Sequence, residues 1–311
     1  MQVANYTKEK IYKEIVTTLR YFHLFKHPLK ESEIHEFLGE YASCKTISLL
    51  LSEMVAEGRI FYVNGYYSLD NNPQLVDRRN EGAKRASVLM KKAHKAAAVI
   101  SKFPFVKCVC ISGSLSKGYA NEKSDIDFFI ITAENRLWIS RTLLHLYKKF
   151  TFLWGSQHSY CMNYFIDESK LCIEEQNRFI ATEMATMMPV YNLNVYTDLI
   201  VANQDWLLNT FPNKTWQTGR PFNALQHNGF RLGLEPIINL LFPKSMNLFL
   251  MKLTDLVWRL KWKRKGYPME DYDLAMKTRW YVSKNHPLNY QKKVLQKIKL
   301  PVNDIVGSTA P

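Results

Sequence analysis

Residues 110–131 read "CISGSLSKGYANEKSDIDFFII", and the end of that stretch limits what the chain can fold into. Two aspartates one residue apart, Asp125 and Asp127, run directly into four apolar residues. A short apolar run rich in aromatic and β-branched side chains reads as a buried strand. Strand side chains alternate between faces, so residues two apart share one. Both carboxylates therefore stand on one face of an element with apolar neighbours. Left unpaired there, they would repel each other and lose hydration, a cost that a cation between them removes.

The residues upstream fit the same picture. "VKCVCIS" reads as a strand, Gly113-Ser114 as the turn that ends it, and "LSKGYA" as the start of a short helix. Gly113 lets backbone approach a phosphate closely, Ser114 offers a hydroxyl, and a helix N-terminus offers free N–H groups. Mg²⁺ is the hard, oxygen-seeking ion that paired carboxylates suit, and it takes substrate phosphate oxygens as further ligands. Together these parts read as a triphosphate and metal site.

Gly113-Ser114, Gly118, Ser124, Asp125 and Asp127 follow the order Gly-Ser, Gly, Ser-Asp-x-Asp. In this the stretch resembles the polymerase-β-like nucleotidyltransferase superfamily, whose small members include antibiotic and minimal bacterial nucleotidyltransferases. The motif covers residues 113–127, and the domain it implies covers roughly 85–190. The resemblance implies that Asp125 and Asp127 hold two Mg²⁺ ions that clamp a nucleoside triphosphate. It assigns Gly113, Ser114, Gly118 and Ser124 to nucleotide binding. The implied reaction is attack of an acceptor hydroxyl on the α-phosphorus with loss of pyrophosphate. The acceptor, whether small molecule, RNA or protein, is left open. The resemblance also implies a third carboxylate from a neighbouring strand, available as base. In "HSYCMNYFIDE" alternation puts Cys161, Asn163, Phe165 and Asp167 on one face, so the mid-strand position falls on Asn163. Asp167, toward the strand end, is the candidate catalytic acid. Glu174 and Glu175 read as first-turn acids of the next helix.

Length sets the frame around this motif. With 311 residues and 47% apolar composition the chain can bury a sizeable core and suggests about two domains. The expected fold class is α+β: a small mixed-sheet core flanked by an N-terminal winged helix and a helical C-terminal region. The expected segments are 1–72, 73–190 with a long basic leading helix closed by Pro104, and 191–311. The most apolar stretch, 234–257, carries Glu235, Lys244, Lys252 and Asp255, which argues against a transmembrane span. The N-terminus has no apolar core of the signal-peptide type, so a cytoplasmic protein is expected. Five cysteines, an odd number with three of them in strand-like runs, fit reduced core thiols rather than a disulfide frame or zinc site.

Three helical stretches and two β-rich arms around Asn64-Gly65 resemble a winged helix over residues 8–70. Its charge matters for function. Residues 1–72 hold eight Lys/Arg against nine Asp/Glu, whereas 73–107 hold nine against two and 240–300 fourteen against four. Phosphate contacts supply most nucleic-acid affinity, so a neutral module is a poor duplex binder. DNA remains a possible but unfavoured partner. The alternative function is a DNA-binding regulator whose nucleotidyltransferase fold senses nucleotide without catalysis. The basic residues of the long leading helix read mostly as a solvated face opposite an Ala/Val/Leu stripe, with contact to a phosphate-bearing partner through Arg78, Arg79, Lys84 and Arg85 as the alternative. No isolated histidine, including His145, His158 and His286, has partners at ligand spacing.

Overall fold

The computed structural model describes residues 2–151, 161–216 and 229–298. Three helices open the chain: α1 (Gln2–His23), α2 (Glu31–Glu36) and α3 (Cys44–Ala56). The expected apolar stripe of α1, Ile11, Ile15, Leu19 and Phe22, is buried. Ser43 caps α3 by accepting from the Thr46 amide at 3.1 Å. A hairpin follows, β1 (Phe61–Val63) and β2 (Tyr66–Ser68), and Asn64 and Gly65 between them both take positive φ, 49° and 88°. That is the type I′ turn expected of Asn-Gly. These are the elements a winged helix would need.

The long helix α4 (Gln74–Ile100) leads to β3 (Val106–Ser112), the single turn α5 (Gly113–Ser116) and β4 (Asp127–Thr132). Then come α6 (Leu137–Thr151), β5 (Cys161–Asp167), α7 (Arg178–Thr186) and β6 (Met188–Tyr191). The strand start expected at His158 lies outside the described residues. The C-terminal part contains α8 (Leu193–Val201), α9 (Gln204–Thr210), α10 (Gly229–Leu241), α11 (Lys244–Arg264) and α12 (Tyr272–Ala275). It ends with β7 (Thr278–Arg279), β8 (Val282–Lys284) and α13 (Tyr290–Ile298). No helix among the described residues is long and apolar enough to cross a membrane.

Six strands form one mixed sheet in the order β6-β3-β4-β5-β8-β7. Only β4 and β5 pair in parallel, with α6 as the crossover that a parallel pair requires. α4 and α6 cover one face, where Ala93, Ala97, Trp138 and Leu144 pack on Val109, Ile111, Phe128 and Ile130. Against the other face a continuous core runs from Ile15 and Phe22 of α1 through Phe129 and Ile131 to Ile180 of α7 and Val294 of α13. The N-terminal helices and the C-terminal end therefore share one core with the sheet.

α7 stops at Thr186, and residues 188–191 form an edge strand, where proline's missing N–H is tolerated. The C-terminal region is mostly helical, as expected, and also supplies β7 and β8, which complete the sheet beside β5. Two of the basic residues of α4 are already engaged. Arg79 bonds both carboxylate oxygens of Glu33, and Arg78 donates to the carbonyls of Phe25 and Lys26 and stacks on Tyr119. On the opposite side Arg178 of α7 ties down the N-terminal helices through Glu14 (2.8 Å), Thr18 (2.7 Å) and the Phe37 carbonyl (2.9 Å).

Candidate active site

Asp127 opens β4, opposite Ser112 of β3 and Cys161 of β5. The next residue after β3, Gly113, holds φ +69° and lies so close that a Cβ would stand 2.5 Å from Asp127 Oδ2. Backbone conformation and contact with the carboxylate both require glycine at that position. Asp125 lies exposed just before the strand, and its charge acts on Asp127. Gly113, Ser114, Asp125 and Asp127 all line one cavity. Gly118 and Ser124 are not on its wall. Gly118 serves a left-handed turn at φ +69°, and the Ser124 hydroxyl accepts from the Asn121 amide (2.8 Å) and donates to Asn121 Oδ1 (3.1 Å), closing the loop that carries Asp125.

Asp127 is half-buried, with weak partners. Asn163 Nδ2 lies 3.5 Å from its Oδ1, and the Cys161 thiol is beside it. Burial pushes its carboxyl up to about 6; the Cys161 hydrogen bond opposes that shift, while the charges of Glu183 and Asp125 add to it. Burial, then the charge of Asp127, pushes the Cys161 thiol up to about 11.

Asp167 is elsewhere. Along β4–β5 the register passes from Phe128–Met162 to Phe129–Tyr164, leaving Asn163 as an extra residue in a bulge. The alternation therefore slips: Cys161 and Asn163 line the cavity, but Phe165 joins the opposite core. Asp167 pairs with Thr132 at the other end of the strands, five residues or about 17 Å from Asp127 at the usual strand rise. It is fully buried and accepts from the Asn135 amide (2.7 Å), the Ser169 amide (3.0 Å) and the Ser169 hydroxyl (2.6 Å). It anchors loops. Glu174 and Glu175 precede α7 without belonging to its first turn, and both clasp Lys277, at 2.7 and 2.9 Å.

The cavity, about 810 Å³, extends from the aspartates to three walls distant in sequence: residues 21–27 at the end of α1, 179–187 on α7, and 284–291 before and into α13. Glu183 sits on its wall, paired at 2.8 Å with Lys117, which also donates to the Gly113 carbonyl at 3.1 Å. Two cavity histidines are neutral: burial and nearby cations hold His27 down to about 3, and burial and Lys284 hold His286 down to about 4.

Residues 95–181 match the family described as the nucleotidyltransferase domain. No curated protein and no solved structure matches the chain. The nucleotidyltransferase domain so matched begins inside α4 and ends inside α7, so it contains Gly113, Ser114, Asp125, Asp127 and β5. Glu183, two residues beyond it, and the walls at 21–27 and 284–291 come from outside.

The donor set fits a hard divalent cation. Asp125 and Asp127 offer carboxylate oxygens on one cavity, and the half-buried Asp127 has a thiol and a side-chain amide as its hydrogen-bond partners. No group of three or more His, Cys, Asp or Glu stands at metal-binding distance among the described residues. Two protein carboxylates completed by phosphate and water oxygens is the usual way in which Mg²⁺ is held. Of the residues that sequence reasoning missed, Lys117 stood inside the quoted motif. Glu183, Cys161, His27 and Lys284 carry no local signal, because only long-range packing brings them to the cavity.

Proposed function

We propose that this chain is a Mg²⁺-dependent nucleotidyltransferase that moves a nucleoside monophosphate from a nucleoside triphosphate to an acceptor hydroxyl. One observation carries the reading: within the matched domain, a strand-opening carboxylate is packed against a turn glycine whose Cβ would displace it, on a cavity shared with a second carboxylate. Bound Mg²⁺ would neutralise charge on the triphosphate and on the leaving pyrophosphate. Asp125 and Asp127 are the residues that would hold it. The Gly113-Ser114 turn would take phosphate oxygens through its hydroxyl and backbone amides. Lys117, now paired with Glu183, is a cation able to turn toward them. In the reaction the acceptor oxygen forms a bond to the α-phosphorus while the bridging oxygen to the β-phosphorus departs with its electron pair. The hydroxyl proton passes to a carboxylate, for which Glu183 on the same cavity is the available group.

The test is transfer of label from α-labelled nucleoside triphosphates, with Mg²⁺ and a cell extract, by wild type and by the double variant Asp125→Ala/Asp127→Ala. Labelled product from wild type alone is expected. Equal labelling by both, or none by either, refutes the proposal.

A further inference from the structure

One face of α11 is covered by the protein. Asn247 accepts from the Trp138 and Ile139 amides at 2.8 and 3.3 Å, Leu250 and Met251 pack on the core that holds Trp138, and Trp258 and Trp262 pack on Tyr272. The opposite face is apolar too. Phe249, Leu253, Leu256 and Leu260 recur at intervals of four, three and four residues, so they form one stripe along the helix, with Val257 at its border. All five are exposed, Phe249 by 58%. At the usual helical rise the stripe runs about 17 Å. Upstream, the last turns of α10, joined to α11 by Phe242 and Pro243, expose Ile237, Leu240 and Leu241, with Leu240 exposed by 85%. Scattered exposed apolar side chains are ordinary, but a row of them along one helix marks a surface where something docks.

Charge selects the partner. α11 carries six Lys/Arg against one acid, Asp255. That acid is already engaged, by Arg259 at 2.8 Å and by the Thr278 hydroxyl. Lys252 and Lys263, about three turns apart, follow one border of the stripe, Lys261 follows the other, and Arg264 continues it. All four are exposed, and none has an acid partner among the described residues. We infer that this face of α11 docks on an anionic lipid membrane and lies in the interface without spanning it. The stripe enters the boundary of the acyl chains, and the bordering cations reach back to the headgroups. A second copy of the chain fits this face less well: a twofold interface would set the cations against their own kind, with no free acid on the helix to meet them. The inference is independent of the nucleotidyltransferase reading, and neither falls with the other.

The purified chain should co-sediment with phosphatidylcholine vesicles that contain phosphatidylglycerol, about tenfold less with phosphatidylcholine alone, and raised salt should release it. Leu253→Gln/Leu256→Gln should bind the anionic vesicles about tenfold more weakly, because the apolar stripe is interrupted. That variant should melt close to wild type, since both side chains are exposed and glutamine is nearly as good a helix former as leucine. Lys252→Gln/Lys263→Gln/Arg264→Gln leaves the stripe intact and should lose about as much, and it decides the matter if the leucine variant fails to fold. No co-sedimentation of wild type, equal binding to neutral vesicles, or undiminished binding by either folded variant overturns the inference. Analytical ultracentrifugation without lipid supplies the remaining check. A wild-type dimer that Leu253→Gln/Leu256→Gln turns into a monomer also overturns the inference, because a second copy then covers the face.

Discussion

Two glycines with the same backbone conformation separate strain from chemistry. Gly113 and Gly118 both sit at φ +69°; a Cβ on Gly118 would meet nothing within 4 Å, whereas on Gly113 it would lie 2.5 Å from Asp127 Oδ2. Alanine in the left-handed region costs about 1 kcal/mol. Gly118→Ala should therefore lose about that amount and melt roughly 2–4 °C lower, as for other domains of comparable size. Gly113→Ala carries the same strain and must also move the carboxylate away from its place between Gly113, Cys161 and Asn163. Its extra loss of stability should be modest, because relieving a half-buried, weakly partnered carboxylate offsets part of the clash. Its loss of ligand response should not be. Thermal melts with and without MgCl₂ plus ATP read both quantities, since a ligand specific to the native state raises the midpoint by mass action. Gly118→Ala should keep most of the wild-type shift and Gly113→Ala should lose most of it. If both variants respond alike, the position of the Asp127 carboxylate is not what binds metal and nucleotide, and the argument from Gly113 fails.

Three further outcomes follow from the same geometry. Asp127 titrates near 6 in the fold against 3.8 ordinarily, so its protonated form is favoured by folding; that stability is present below pH 3.8 and is lost as pH rises through 6. The loss is at most about 3 kcal/mol. Metal-free urea titrations should show Asp127→Asn gaining on wild type between pH 4 and 7, and a difference flat across that range would count against the burial argument. Asp167→Asn should cost about 1–3 kcal/mol by disturbing three buried bonds, yet leave the Mg²⁺-ATP shift intact. A vanished shift in that variant would return Asp167 to the site. Arg178→Ala removes three charge-assisted bonds to the N-terminal helices and should cost about 2–3 kcal/mol, with hydrogen-exchange protection falling in residues 8–37 ahead of the sheet; uniform loss across both would show that the helices are held by packing alone.

The Gly113-Ser114 turn and the aspartate pair were legible because they lie within fifteen consecutive residues, where strand period and turn chemistry are local facts. The same holds for the Asn64-Gly65 hairpin. Two things separate Asp167 from the site: it stands at the far end of the parallel β4–β5 pair from Asp127, and the bulge at Asn163 adds a residue, so the later side chains of β5 change face. β7 and β8 escaped because strands of two and three residues carry no pattern of their own; pairing with β5 makes them strands. The cavity's distant walls escaped for a related reason. Asn285, Asn289 and Met187 look ordinary in sequence, and only the folded core sets them on one cavity.

The position of β8 has a consequence for the time course of synthesis. Its partner β5 ends at Asp167, and β8 begins at Val282, 115 residues later. At about 5–20 residues per second the ribosome needs on the order of 6–23 s to supply it. Throughout that interval the free edge of β5, bearing Tyr164, Phe165 and Ile166, is open to any passing strand. The aspartates are already made by then, but the wall at 284–291 is not. A nascent chain thus exposes the free edge of β5 while one wall of the cavity is still unmade, and the arrival of the segment from β8 to the start of α13 ends both conditions together.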